Sequence, residues 1–160
     1  MNRVNSILKN EEYRRYVTQI DELESDRIFC HHDMDHFLDV ARIGVIMADD
    51  EGIDIARSVI YAAALLHDIG RGEQYKDGTE HELASAAIAP FILEACGYNE
   101  EETDMIVTAI INHGNASVAD SKDLTGILYR ADKASRKCFM CDAIDKCHKS
   151  PEKLVMEIKY

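Results

Sequence analysis

The stretch DIARSVIYAAALLHDIG, Asp54 to Gly70, decides the architecture. After Ser58 it is apolar almost all round, which a helix tolerates only when other elements enclose it. No convincing alternating run of β-branched residues appears elsewhere, so those neighbours are read as helices. The expectation is an all-α fold, a compact bundle of about six or more helices packed around this segment. The apolar run then ends in His67 and Asp68 and breaks at Gly70. An imidazole and a carboxylate at the end of a buried helix are costly to desolvate without a partner.

Helical punctuation continues in both directions. Upstream, Asn10 is placed to cap EEYRRYVTQIDELES, where Tyr13, Tyr16, Val17 and Ile20 recur at helical spacing. DMDHFLDVARIGVIMADDEG starts a helix near Asp33, with Phe37, Val40, Ala41, Gly44, Val45 and Ala48 on one face and Gly52 as its stop. Downstream, EHELASAAIAPFILEACG reads as a helix in which Pro90 removes an amide donor and predicts a kink. NEEETDMIVTAIINHG has Asn99 as cap, glutamates in its first turn and Gly114 at its exit. SKDLTGILYRADKASR is read as a helix capped by Ser121. The final stretch, KCFMCDAIDKCHKSPEKLVMEIKY, combines cysteines with an expected short terminal helix. No repeat, low-complexity tract or linker divides the chain. One domain is therefore expected over residues 1–160, with its motifs in 30–137 and a cysteine-containing extension over 138–160.

Thirty acidic residues against 18 basic ones give a formal charge of -12. Such a field opposes a grip on a nucleic-acid backbone, so duplex DNA or RNA is not the expected partner. An anionic small substrate would need a local positive charge, and bound metal ions are often the largest one in such a site. No segment approaches the roughly 18 consecutive apolar residues of a membrane span. The opening MNRVNSILKNEEYRRYV lacks the long apolar stretch of a signal peptide, and a cytoplasmic protein without membrane contact is expected. Five cysteines in a reducing compartment argue against a disulfide framework.

The histidines carry the functional signal. His36 falls in a first helical turn, His67 and Asp68 end the central helix, His81 opens a helix, His113 ends one and Asp132 lies near the end of another. Most of these positions are helix ends, where side chains from a bundle converge on one central cleft. Leu65, Leu66, Ile110 and Ile111 supply a low-dielectric surround, and a divalent metal relieves the cost of burying charge there. Consecutive residues on a regular helix point about 100° apart. At a helix end the constraint loosens, so His67 and Asp68 can clasp one ion, or the carboxylate can bridge two while the imidazole binds only the first. His32 lies one turn before His36 and is within reach of the same cleft; the alternative for His31 and His32 is a place in the loop or at the helix start.

DHFLDVARI resembles the opening histidine motif of the HD superfamily of metal-dependent phosphohydrolases, LLHDIG its name-giving pair in the HDIG form, and YRADKASR its closing aspartate. The ordered set is far more specific than any single piece. The resemblance implies that His36, His67, Asp68 and Asp132 hold a first ion. It implies that His81 and His113 hold a second, bridged by Asp68. Here His113 is followed by Gly114, where several dinuclear members have a second histidine. One or two divalent ions of Mn, Fe, Co, Ni or Zn are the implied cofactors, since ligand type alone fits several transition metals.

The implied reaction is hydrolysis of a phosphomonoester or phosphoanhydride in a small phosphorylated molecule, a nucleotide being the leading class, with His67 and Asp68 at its centre. Arg71, Lys133 and Arg136 follow the motifs closely enough to meet substrate phosphate; solvated surface charge is the alternative. An iron-dependent oxygenase of the same superfamily would use the same ligands, and a non-catalytic nucleotide- or metal-binding protein is the contrasting class. Helical domains of this kind leave room for a homodimer. Separately, Cys138, Cys141 and Cys147 form C-x2-C-x5-C before His148, and Cys30 directly precedes the first histidine motif. Such spacing suits a structural zinc or an iron–sulfur cluster, against plain buried or surface thiols. Cys96, at a helix end, is read as packing.

Overall fold

The segment that decides the architecture folds into its central helix in a computed structural model that describes all 160 residues. Eight α-helices follow one another: α1 (Asn2–Lys9), α2 (Glu11–Leu23), α3 (Met34–Glu51), α4 (Arg57–Leu66), α5 (Arg71–Asp77), α6 (His81–Ala95), α7 (Glu100–Asn112) and α8 (Leu124–Ala134). The remaining elements are four single 3-10 turns, and no strand is present. Within α4 every residue from Ala62 to Leu66 is fully buried, because α1, α3, α6, α7 and α8 all pack against it. No helix is long and apolar enough to cross a membrane.

Side-chain caps explain where four of the eight α-helices begin. Asn10 Oδ1 accepts from the Tyr13 amide at 3.0 Å, and Asp33 Oδ1 from the His36 amide at 2.9 Å, as the sequence leads one to expect. Asn99 and Glu102 form a reciprocal capping box at α7. At α8 the cap is Asp123, whose Oδ1 accepts from the Gly126 amide at 3.0 Å, and not Ser121. The reason is local. Gly126 lets the Ser121 carbonyl press against its Cα, where any Cβ would clash, so Ser121 packs beside the first turn while the aspartate closes it.

Two helices add to those read from the sequence, and one expectation is corrected. A first helix, α1, precedes Asn10 and seats Val4 and Ile7 in the core. A short helix, α5, follows the Gly70 break directly and packs on α2 and α6. The chain's end forms no terminal α-helix: it makes 3-10 turns at Cys138–Met140, Ile144–Lys146 and Pro151–Lys153, then runs back so that the Phe139 amide donates to Val155 O at 3.2 Å. Only Cys138 and Ala143 are buried beyond Arg136, too little apolar burial to hold a short helix. α6 runs through Pro90 as one element to Ala95. One continuous core of 29 residues draws on α1 to α4, α6, α7 and α8, and the ends of α4 and α7, the start of α6 and the first turn of α3 meet at its edge.

Candidate metal centre

Two histidines reach the centre by the same local device. His67 and His113 each occupy the residue after the last turn of a helix, where the final carbonyls lack helical partners. His67 Nδ1 donates to Ala64 O at 2.7 Å and His113 Nδ1 to Ile110 O at 2.6 Å. A carbonyl can only accept, so the ring proton sits on Nδ1 and the Nε2 lone pair faces inward. His36 follows suit: Ser135 Oγ donates to Asp132 O at 2.8 Å and accepts from His36 Nδ1 at 3.2 Å. Second-sphere acceptors of this kind are what fix a histidine's tautomer for metal binding.

Asp68 lies at the middle, 1% exposed, with its two oxygens turned to different partners. Its Oδ2 is 3.2 Å from His67 Nε2 and 3.8 Å from His36 Nε2; its Oδ1 is 3.2 Å from His81 Nε2 and 3.5 Å from His113 Nε2. The imidazole pairs also close on each other, His36 to His67 at 3.3 Å and His81 to His113 at 3.2 Å between Nε2 atoms. Asp132 Oδ1 completes the first group at 3.6 Å from His36 Nε2 and 3.9 Å from His67 Nε2. His67 and Asp68 reach the same point because the α-helix stops at Leu66 and the chain turns through Gly70. That turn is pinned to α6 by the Gly70 amide, which donates to Ser85 Oγ at 2.9 Å.

Burial and charge set the protonation of the cluster. Burial lowers the His67 imidazole despite Asp68 beside it, and it pushes His81 down to about 3. His113 is raised, because its hydrogen bond to Asp68 and the charge of that carboxylate outweigh burial. Burial works to raise both carboxyls, but His67 and Arg71 hold Asp68 well below the carboxylate range, and Lys133 and His67 do the same for Asp132. The result is one buried and one half-buried carboxylate, both ionised, ringed by inward-facing imidazole Nε2 atoms.

That donor set fits divalent transition metals. Ligand atoms about 2.0–2.2 Å from one ion lie no more than about 4 Å apart, and every separation quoted within the two groups meets that limit. His36, His67 and Asp68 form one convergent group that can hold an ion; Asp68, His81 and His113 form the other. His36 and His67, each with its ring proton on Nδ1, turn Nε2 lone pairs towards each other at 3.3 Å, which is unfavourable unless a cation lies between them.

The other expected residues sort differently. Arg71 Nε donates to Asp68 Oδ1 at 3.0 Å and Lys133 Nζ to Asp132 Oδ2 at 2.5 Å, so both are spent on site carboxylates; Arg136 lies on a cleft wall beyond. Cys30 is exposed, Cys138 buried, Cys141 and Cys147 half-buried, and none joins a convergent metal-ligating group. Tilted packing of Phe29 against His148, 5.4 Å between centroids, brings the Cys30 loop towards the Cys147 turn. Cys96 is buried core packing.

One pair at the site combines His32, which the sequence places within reach of the cleft, with Glu24, which it does not mark. His32 sits in the loop before α3, its Nε2 3.7 Å from Asp68 Oδ2, held by Glu24 at the end of α2. Glu24 is 2% exposed and accepts from His32 Nδ1 at 2.5 Å, from the His32 amide at 2.7 Å and from the Tyr75 hydroxyl. Burial opposes its ionisation, yet these donors keep its carboxyl down at about 2. The helical offset between His32 and His36 was the only signal; nothing marked Glu24.

A family model described as HD domain matches residues 33–137. A protein of Clostridium beijerinckii, described as an uncharacterized protein, is 41% identical over 160 residues, the whole of both chains. The bifunctional uridylyltransferase/uridylyl-removing enzyme of Erythrobacter litoralis is 35% identical over 71 residues, 44% of this chain and 7% of its own. That of Nitrobacter winogradskyi is 27% identical over 130 residues, 71% of this chain and 14% of its own. No solved structure matches the chain.

Proposed function

The chain belongs to the HD domain family, and from that premise we propose that it is a metal-dependent phosphohydrolase acting on a phosphomonoester or phosphoanhydride bond of a small phosphorylated molecule, a nucleotide being the favoured class. One observation carries the reading: Asp68 turns each carboxylate oxygen to its own pair of histidines. In this reading His36, His67, Asp68 and Asp132 would hold one ion, and Asp68, His81 and His113 would hold another. Divalent ions bound there would lower the pKa of water so that it attacks at neutral pH, and would neutralise the phosphoryl oxygens.

The chain's own residues do the rest. Ala64 O, Ile110 O and Ser135 Oγ keep three imidazoles aimed inward. Arg71 and Lys133 offset the charge of the two carboxylates until cations and substrate arrive. Leu65, Leu66 and Ile110, fully buried, keep bulk water from the back of the site. The names of the Erythrobacter and Nitrobacter relatives include removal of a uridylyl group, a reaction at phosphorus, which supports hydrolytic chemistry at a phosphate ester in general.

The test is phosphate release from nucleoside mono-, di- and triphosphates with Mn, Fe, Co, Ni or Zn, with oxygen uptake followed in parallel. Metal-dependent release that His67→Ala abolishes is expected. Oxygen uptake without phosphate release, or turnover indifferent to metal, would overturn the proposal.

A further inference from the structure

Beside the centre, and sharing Lys133 with it, lies a second space. The end of α8, the loop after α7 and the tail from His148 to Tyr160 enclose a cleft of about 1110 Å³. The whole of this tail lies outside the residues that the HD domain model matches. In a chain whose formal charge is -12, six of its 18 Lys and Arg side chains line this one cleft: Arg130, Lys133, Arg136, Lys149, Lys153 and Lys159. Two glutamates, Glu152 and Glu157, face them.

Each of these charges has a distinct situation. Arg130 is consumed at one edge by a bidentate pair with Glu51, 2.8 Å to each oxygen. Lys133 joins the cleft to the metal centre, since its Nζ lies 2.5 Å from Asp132 Oδ2 and 3.2 Å from His113 O. Arg136 and the three tail lysines make no salt bridge; the contact of Arg136 is a long one, 3.5 Å to Lys153 O. Tyr129, under Lys133 with 5.0 Å from Nζ to its ring centroid, gives the floor an aromatic surface. The volume lies just above the roughly 300–1,000 Å³ of small-molecule sites. It exceeds what a single phosphate fills, and cations spread along a wall match a chain of charges better than one charge. They also offset locally the field that would repel a polyanion.

We propose that this cleft is a subsite for the distal part of an oligophosphate-bearing substrate, one with three or more phosphates in a chain. Arg136, Lys149, Lys153 and Lys159 bind the phosphates remote from the reacting one, which lies beside Asp68 and Asp132. The inference rests on the phosphohydrolase reading only for that last placement.

Its test separates the two. Isothermal titration of the full chain with inorganic tripolyphosphate and with orthophosphate, in buffer stripped of divalent metal, reads the cleft without turnover. Tripolyphosphate is expected to bind at least tenfold more tightly than orthophosphate. The combined substitution Lys149→Ala, Lys153→Ala and Lys159→Ala, or the single charge reversal Lys153→Glu, should weaken it tenfold or more. Neutralising Lys9, Lys76 and Lys122 instead should change it less than twofold. Equal affinity in wild type and tail variants, or an equal loss in both lysine sets, overturns the subsite and leaves the phosphohydrolase reading standing. Tail-dependent tripolyphosphate binding in a protein with no metal-dependent phosphate release retains the subsite and rejects that reading.

Discussion

Asp68 and Asp132 differ from the other carboxylates of this acidic chain in their surroundings, because nearly every group facing them is an imidazole Nε2 or a cation. The rings are only as well aimed as their outer partners allow. His67 and His113 lean on backbone carbonyls that no side-chain substitution removes, whereas His36 depends on the Ser135 hydroxyl. Ser135→Ala is therefore expected to weaken metal binding about 10–100-fold, measured as the dissociation constant for Mn or Zn, with the melting temperature nearly unchanged. Unaltered affinity would show that His36 is oriented by something else. At this scale the sequence was informative where a residue type and a helix end coincide, as for His67, Asp68, His81 and His113. It was silent on Glu24, an acid in the run IDELES with no local feature to set it apart. Its burial arises only when the end of α2 meets the loop of His32 and Tyr75 of α5.

Helices hold the site by how closely they approach. An added Cβ at Gly70 would run into the backbone of Ser85 and Ala84, so the turn after α4 sits directly on α6. Gly70→Ala is expected to cost about 1–3 kcal/mol by forced repacking, and to lower metal occupancy, because α6 carries His81. Urea denaturation and metal analysis check both; an unchanged midpoint would contradict the packing described.

Between α1 and α7, Arg3 Nη1 lies 2.5 Å from Glu102 Oε2, and that hydrogen bond lowers the Glu102 carboxyl below its usual 4.5. A carboxyl lowered on folding adds stability above its unfolded value, and that contribution disappears as pH falls through the folded value. Glu102→Gln preserves the capping-box pattern, so its cost should be about 0.2–1 kcal/mol at pH 7 and should shrink steadily below pH 4.5. Denaturation of both proteins across pH 3–7 tests this, and a pH-independent difference would refute it. Element boundaries were legible at Asn10, Asp33 and Asn99, where one side chain decides the cap. They were not at α5 and the tail, where seven residues between glycines and a set of 3-10 turns take their form from tertiary contacts.

Taken whole, the molecule sets a strongly negative exterior against a buried cluster of lone pairs and carboxylates, with cations gathered along one adjoining cleft. The all-helical class and the family were legible because one almost wholly apolar segment and an ordered series of helix-end ligands survive without knowledge of packing. The cleft was not, since its walls come from α8 and from a tail whose path depends on contacts such as Phe139 to Val155. The central claim is that Asp68 joins two ion sites. Its most direct test is the number of tightly bound transition-metal ions per chain, by elemental analysis after exhaustive dialysis, in wild type and in Asp68→Asn. Up to two ions in the wild type and essentially none in the equally folded variant is the predicted result; wild-type metal content in Asp68→Asn, or none in either protein after reconstitution, would contradict it.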